Sequence, residues 1–160
     1  VEENLGAARR LAAAGVRELC LVSQDTTGYG TDLPGGRAEL VRLLEGLDSI
    51  DGIAWIRLLY TYPALWTASL MDAMCDLGHV VPYVDLPIQH VSERMLRRMN
   101  RGLSARRQRE VLAELRRRVP GVAVRTTVIV GHPGETEADV EELLAFLGEY
   151  RFERLGTFAY

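Results

Sequence analysis

Eleven stretches of this chain alternate between the spacing of an amphipathic helix and the short apolar run of a buried strand. Residues 5–14 are rich in Ala and Leu and read as a helix stopped by Gly15; residues 18–23 are an apolar run of strand length. Pro34-Gly35-Gly36 punctuates the chain, and Leu40, Leu43, Leu44 and Leu47 then recur at helical intervals. Residues 53–60 form the next apolar run, and residues 67–77 are helical up to Gly78. Residues 80–88 should form an irregular strand, because Pro82 and Pro87 cannot donate to a ladder. Ser92 and Ser104 are placed to cap two successive helices, the second halted by Pro120-Gly121. Residues 122–130 are β-branched and extended, Thr136-Glu137-Ala138-Asp139 opens a helix to about residue 150, and residues 155–160 read as a last strand.

Apolar strands separated by helices imply a parallel sheet, since a parallel connection needs a crossover and the crossing helices bury the sheet. The fold class expected is α/β, with about five strands curved into part of a (β/α) barrel. A complete eight-fold barrel takes roughly 250 residues, and this chain has 160, so it reads as an arc. At that length it is one domain, and 48% apolar residues suffice for a core. No apolar run approaches the length of a membrane span and no charged-then-apolar leader opens the sequence, so a cytoplasmic protein is expected.

The formal charge of −3 conceals a split: residues 93–118 hold ten arginines against three acids, a net +7, and the remainder carries −10. All nineteen basic residues are Arg, a bias that reads as codon composition more than as phosphate binding. The basic stretch contains no aromatic side chain to stack on bases, so a solvated outer face is a better reading than a ribosomal RNA contact. Cys20 and Cys75 stand far apart, belong to no metal-binding spacing, and are expected to be buried free thiols. No metal-ligand set is assigned.

The segment most suggestive of chemistry is the strand Val124–Val130 running into Gly131-His132-Pro133-Gly134-Glu135-Thr136. Ligands of α/β folds sit beyond the carboxyl ends of strands, and two glycines there let backbone approach a ligand closely. Arg57 and Arg125 fall within or beside apolar strands, where each needs either a ligand carboxylate or a structural acid as partner.

The strand ends also carry recognisable sequences. Leu21-Val22-Ser23-Gln24-Asp25-Thr26-Thr27-Gly28-Tyr29-Gly30 resembles the second-strand segment of the radical S-adenosylmethionine methylthiotransferases. Asp85-Leu86-Pro87-Ile88-Gln89-His90, followed by Ser92, Leu96, Met99 and Arg101, is similar to their fourth strand and the helix behind it. Residues 127–136 resemble their fifth-strand motif, with His132 where Phe is usual, and residues 155–160 their sixth strand. Asp25 and His90 favour the branch that methylthiolates the β-carbon of an aspartate in ribosomal protein uS12 over the tRNA-modifying branch. The resemblance implies a barrel of the radical SAM type, of which this chain would supply the second to sixth βα units. The family's N-terminal cluster domain, cysteine-triad loop and C-terminal RNA-binding β-domain are not in this sequence, so the chain alone is expected to be inactive.

The cofactors implied are S-adenosylmethionine and, in the full-length enzyme, 4Fe-4S clusters whose ligands lie elsewhere; the partner implied is uS12 on the small ribosomal subunit. Residues carried over to cofactor binding are Gln24, Asp25, Gln89, His90, Arg125, Gly131 and Gly134; no catalytic residue is assigned. Asp25 reads equally well as turn chemistry, and Glu135 as an acid favoured by exposed helix amides. A barrel lyase or aldolase using the glycine turn for phosphate, or an RNA-binding module using the arginine helices, are the competing readings. Unpaired sheet edges at either side of an arc are expected to promote self-association.

Overall fold

The computed structural model describes residues 1–33 and 35–160; of the Pro34-Gly35-Gly36 turn, Pro34 lies outside the described residues. Five strands, β1 (Glu18–Leu21), β2 (Trp55–Leu58), β3 (Val80–Asp85), β4 (Ala123–Val130) and β5 (Arg154–Ala159), form one sheet in chain order, every pair parallel. Helix α1 (Glu2–Ala13) precedes β1, and α2 (Leu40–Asp48), α3 (Ala68–Asp76), α4 (Glu93–Arg98), α5 (Ala105–Arg118) and α6 (Glu137–Tyr150) connect the strands. The expected order of elements is therefore observed. Two single 3-10 turns, Thr26–Gly28 and Pro63–Leu65, fall in the loops after β1 and β2.

Capping side chains start the helices where the sequence places them. The Ser92, Ser104 and Thr67 hydroxyls accept the N–H groups of Met95, Arg107 and Leu70, at 3.4, 3.2 and 3.2 Å. Asp139 accepts both the Thr136 N–H at 2.9 Å and its hydroxyl at 2.6 Å, closing the first turn of α6 on itself.

The two faces of the sheet differ in kind. Leu19, Ile56, Leu58, Val84, Val124 and Val128 point to one side and pack with Leu43, Leu44, Leu47, Leu70, Met71, Leu112, Leu115 and Phe146 from the helices. The period-two alternation puts Glu18, Cys20, Arg57, Tyr83, Asp85, Arg125 and Thr127 on the other side. In a closed barrel that second face is the interior. Cys20 lies on it and is exposed; Cys75 is exposed on α3, its thiol 3.3 Å from the Arg118 carbonyl. The expectation of two buried thiols is corrected on both counts. Cys20 takes the polar parity of its strand, and Cys75 falls on the solvent side of its helix. Strand lengths also shrink: β2 keeps only residues 55–58 of the apolar run 53–60, because the chain turns left-handed at Tyr60.

Candidate functional site

The loops at the carboxyl ends of β1, β2 and β3 are laced together by short polar contacts. Thr26 donates its N–H to the Tyr60 carbonyl at 3.0 Å and its hydroxyl to the Leu59 carbonyl at 2.5 Å. Tyr62 N–H donates to the Thr27 hydroxyl at 3.0 Å. Tyr60 N–H donates to Asp85 Oδ2 at 3.0 Å, and the Thr61 hydroxyl to the Asp85 carbonyl at 2.5 Å. Trp66 Nε1 in turn donates to the Thr61 hydroxyl at 3.1 Å, which fixes that side chain. Gln89 joins β4 through its N–H to the Thr127 carbonyl at 2.9 Å and its carbonyl to Ile129 N–H at 2.8 Å.

This lacing encloses an open hollow of about 220 Å³ lined by Gln24, Asp25, Tyr60, Thr61, Tyr62, Pro87, Gln89 and Arg101. Tyr60 (φ 53°) and Gln89 (φ 66°) hold left-handed backbone, and Asn100 (φ 53°) directly precedes Arg101. Non-glycine residues in that region carry strain of order 1–3 kcal/mol each and gather at ligand sites. The side-chain amides of Gln24 and Gln89 have no hydrogen-bond partner among the described residues, whereas Asp25 is engaged locally. Its Oδ1 accepts the Thr27 hydroxyl at 2.5 Å and Gly28 N–H at 3.2 Å, so the turn reading of Asp25 is realised within the hollow's wall.

Below the rim, the polar face carries a row of charges. Arg57 donates to Glu18 at 2.8 Å and stands 4.9 Å above the Tyr83 ring, so its partner is structural. Arg125 is different. Its side chain is 44% exposed, and its nearest acid, Asp85 Oδ1, is 3.6 Å away, too far for a hydrogen bond. Asp85 is itself 1% exposed, and that Oδ1 has no hydrogen-bond partner. Sequence reasoning gave Asp85 no role, although an acid closing an apolar run was a usable signal.

The β4–α6 turn is built in the opposite way. Gly131 N–H donates to Glu135 Oε2 at 2.6 Å, and Glu135 Oε1 lies 3.2 Å from His90 Nε2, not aligned as a linear bond. His90 is fully enclosed, and its Nδ1 accepts the N–H groups of Val91 and Ser92 at 2.9 and 3.0 Å. The ring is thus neutral with its proton on Nε2. Burial lowers its pKa, with Glu135 acting in the opposing direction. Arg94 donates to the Gly134 carbonyl at 2.8 Å and Arg98 to the Pro133 carbonyl at 3.0 Å. A Cβ on Gly134 would sit 2.6 Å from the Arg98 guanidinium. His132 packs edge-on against Tyr160 at 4.9 Å.

Of the seven residues expected at a cofactor site, Gln24, Asp25 and Gln89 share the hollow, and Arg125 lies on the polar face beneath it. Three are placed otherwise. His90 is withdrawn from the rim, because its Nδ1 serves two backbone amides and its Nε2 faces Glu135 inside the fold. The close approach that Gly134 permits is taken by Arg98. Gly131 is outside the hollow's lining, with φ 76° and only the Tyr160 N–H near its open side, at 4.0 Å. Arg101 lines the hollow and was not among the seven.

The arginine-rich stretch is largely neutralised within the protein. Arg94, Arg106, Arg107, Arg109, Arg116, Arg117 and Arg118 pair with acids, and Arg97 and Arg98 bond backbone carbonyls. No three His, Cys, Asp or Glu side chains group to hold a metal among the described residues, and no described helix is long and apolar enough to cross a membrane.

Residues 1–147 match the family model described as "Radical SAM superfamily". The Ribosomal protein uS12 methylthiotransferase RimO of Chloroherpeton thalassium is 48% identical over 160 residues, all of this chain and 36% of that protein. Its namesake in Anaeromyxobacter sp. (strain K) is 51% identical over 160 residues, again all of this chain and 34% of that protein. The chain therefore spans about a third of the length of the curated relatives it matches. Among solved structures, the radical S-adenosylmethionine methyltransferase TsrM from Kitasatospora setae, with cobalamin and a [4Fe-4S] cluster bound, superposes with TM-score 0.73. It is 15% identical, with 97% of this chain and 30% of that chain covered. Coproporphyrinogen III oxidase (HemN) from Escherichia coli, a radical SAM enzyme, gives TM-score 0.70 at 17% identity, with 99% and 37% covered. At such identities these structures establish the fold: a parallel α/β arc of the radical SAM barrel.

Proposed function

This chain belongs to the radical SAM superfamily, and from that premise we propose that it is the S-adenosylmethionine-holding arc of a methylthiotransferase. The reaction proposed for the whole protein adds a methylthio group to the β-carbon of an aspartate in ribosomal protein uS12. The observation that carries this reading is similarity of 48–51% along the entire chain to proteins bearing that name. In this proposal the five strands are the second to sixth βα units, the protein works in the cytoplasm, and its partner is uS12 on the small ribosomal subunit.

The hollow suits one end of such a cofactor. Pockets for whole drug-sized ligands are about 300–1,000 Å³, so a space of about 220 Å³ takes a polar end and leaves the rest over the polar face. When bound, S-adenosylmethionine supplies the radical and the methyl group. This chain's residues bind and orient. Gln24 and Gln89 present free amide donors and acceptors, Tyr60 and Thr61 wall the space, and Arg125 offers guanidinium N–H groups on the face below. Residues fitting an iron–sulfur cluster are not present among those described, Cys20 and Cys75 being on separate elements.

Asp25 and His90, which favoured the uS12 branch by sequence, act locally in this fold: one caps a turn, the other stands beside the β4–α6 loop. The test is to incubate the full-length protein, with clusters and S-adenosylmethionine, separately with uS12 and with tRNA. A methylthio mass increment on a uS12 aspartate is the expected result. The same increment on tRNA alone would transfer the protein to the tRNA-modifying branch.

A further inference from the structure

On the open face of the sheet, β4 and β5 bring two arginines side by side. Arg125 and Arg154 are register partners on parallel neighbours, so their side chains leave the same face from strands about 4.8 Å apart. The alternation fixes which face: Val124, Thr126 and Val128 are buried against the helices, whereas Arg125 and Arg154 are exposed on the other side. Like charges set directly opposite each other destabilise a sheet, and no acid among the described residues closes on either guanidinium. Arg125 has Asp85 at 3.6 Å, beyond hydrogen-bond reach, and Arg154 donates to the Glu153 carbonyl at 3.3 Å. The Glu153 carboxylate is taken by Arg116 at 2.8 and 2.9 Å and by the Val124 N–H at 2.7 Å. Elsewhere on this face Arg57 is cancelled by Glu18. Here two arginines against Asp85 leave a formal charge of +1.

The surroundings fit an anion of a carboxylate's shape. One pleat further along the same face stand Thr127 and Gly156, also register partners. The Thr127 hydroxyl has no hydrogen-bond partner among the described residues. Gly156 bears no side chain, and a Cβ built there would stand 3.4 Å from Thr127 Oγ1. A notch is thereby left beside the hydroxyl and next to Arg154. Guanidinium forks are donors only, and each matches a carboxylate through two parallel N–H···O bonds. None of these four residues lines the hollow, whose walls come from the β1–β3 side and from Arg101. A cofactor whose polar end fills the hollow therefore leaves this second set of donors to another molecule.

We propose that Arg125 and Arg154 form a carboxylate site on the open face of β4 and β5, and that its occupant is the side chain of the target aspartate of uS12. The assignment rests on the function proposed above. A grip on that carboxylate sets the adjacent β-carbon in place without touching its hydrogens. The amino-acid end of S-adenosylmethionine is a carboxylate too, and binding measurements separate the two sources.

Equilibrium binding to the full-length protein is measured for uS12, for uS12 with its target aspartate changed to asparagine, and for S-adenosylmethionine. The parent is expected to prefer the aspartate form by about tenfold or more. Arg125→Met and Arg154→Met should each bring the two forms within about twofold of one another. Both variants should bind S-adenosylmethionine within about twofold of the parent, which also shows them folded. Arg154→Lys should keep part of the preference, since it retains the charge and loses the fork. Arg106→Met, an equal charge change at an exposed ion pair with Glu110, should discriminate as the parent does. A preference that survives both methionine variants would overturn the site. Weakening of S-adenosylmethionine by about tenfold in those variants, with the preference intact, would overturn the substrate assignment in favour of the cofactor. A parent that binds uS12 but treats aspartate and asparagine alike would overturn the site alone. A parent that binds no uS12 would overturn the functional reading and this site with it.

Discussion

The hollow at the ends of β1–β3 and the turn between β4 and α6 lie at the same end of one sheet, yet they are built on opposite principles. Around the turn, most polar groups are engaged within the fold: His90 Nδ1 serves two amides, Arg94 and Arg98 hold carbonyls, Asp139 accepts from Ser92 at 2.6 Å and from Thr136, and His90 Nε2 faces Glu135 Oε1 at 3.2 Å without an aligned bond. Around the hollow, the Gln24 and Gln89 amides and Arg101 have none, and the backbone at Tyr60 and Gln89 is left-handed. Engaged networks stabilise a scaffold, whereas left-handed backbone at Tyr60 and Gln89 costs stability, and the exposed polar groups beside it can exchange water for a ligand. In the proposed function the glycine-rich turn is the brace, and the plainer loops form the receptor.

The largest expected effect strikes the brace. Asp139→Ala removes the acceptor for Ser92, Thr136 and Arg94 together and should cost about 3 kcal/mol of stability in equilibrium urea unfolding. The Ser92 and Thr136 hydroxyls, with Arg94, hold the Asp139 carboxyl well below its ordinary value of 3.8. A lowered acid pKa means the unfolded chain takes up the proton first. Its stabilisation is present above pH 3.8 and is lost as pH falls below it. An Asp139→Ala loss of under about 0.5 kcal/mol would show that the network is ornamental.

His90→Ala comes next, at about 2–3 kcal/mol, because it leaves a cavity and two buried N–H groups unpaired. Here too the sign follows from burial. The folded-state pKa is below 6.5, so the unfolded chain binds the proton between that lowered value and 6.5. Stability should be full above pH 6.5 and decline as pH falls through that window, and His90→Gln should remove the decline. Persistence of the same slope in His90→Gln would assign it to another group.

Gly134→Ala should destabilise by about 1–2 kcal/mol, since the left-handed backbone is strained and the new Cβ meets Arg98. Gly131→Ala, facing open space, should cost about 1 kcal/mol. Equal thermal shifts for the two would deny Gly134 its packing role. The smallest effect runs the other way. Tyr60→Gly should stabilise by up to about 1 kcal/mol by relieving strain at a half-exposed residue, while weakening S-adenosylmethionine. Stabilisation without loss of binding would separate the strain from the site.

Element types were legible because their signals are local: the leucine spacing of α2, the serine caps of α4 and α5, the Thr136–Asp139 box. The rim position of Gln24, Asp25 and Gln89 was legible from strand ends alone. What the sequence concealed depends on partners distant along the chain. His90 looked like a rim residue until Glu135 and the Ser92 amide enclosed it, and Gly134 looked like ligand space until Arg98 filled it. Arg101 was one arginine among ten until the other nine proved engaged. The thiols failed for a related reason, since strand parity and helix face, not residue type, set their exposure.

Hydrogen exchange with and without S-adenosylmethionine, read amide by amide in the full-length protein, tests the central claim most directly. Protection is predicted to concentrate at residues 24–27, 60–62 and 89, with residues 131–135 already slow before the ligand is added. Protection confined to residues 131–135, leaving the loops after β1–β3 unchanged, would contradict it.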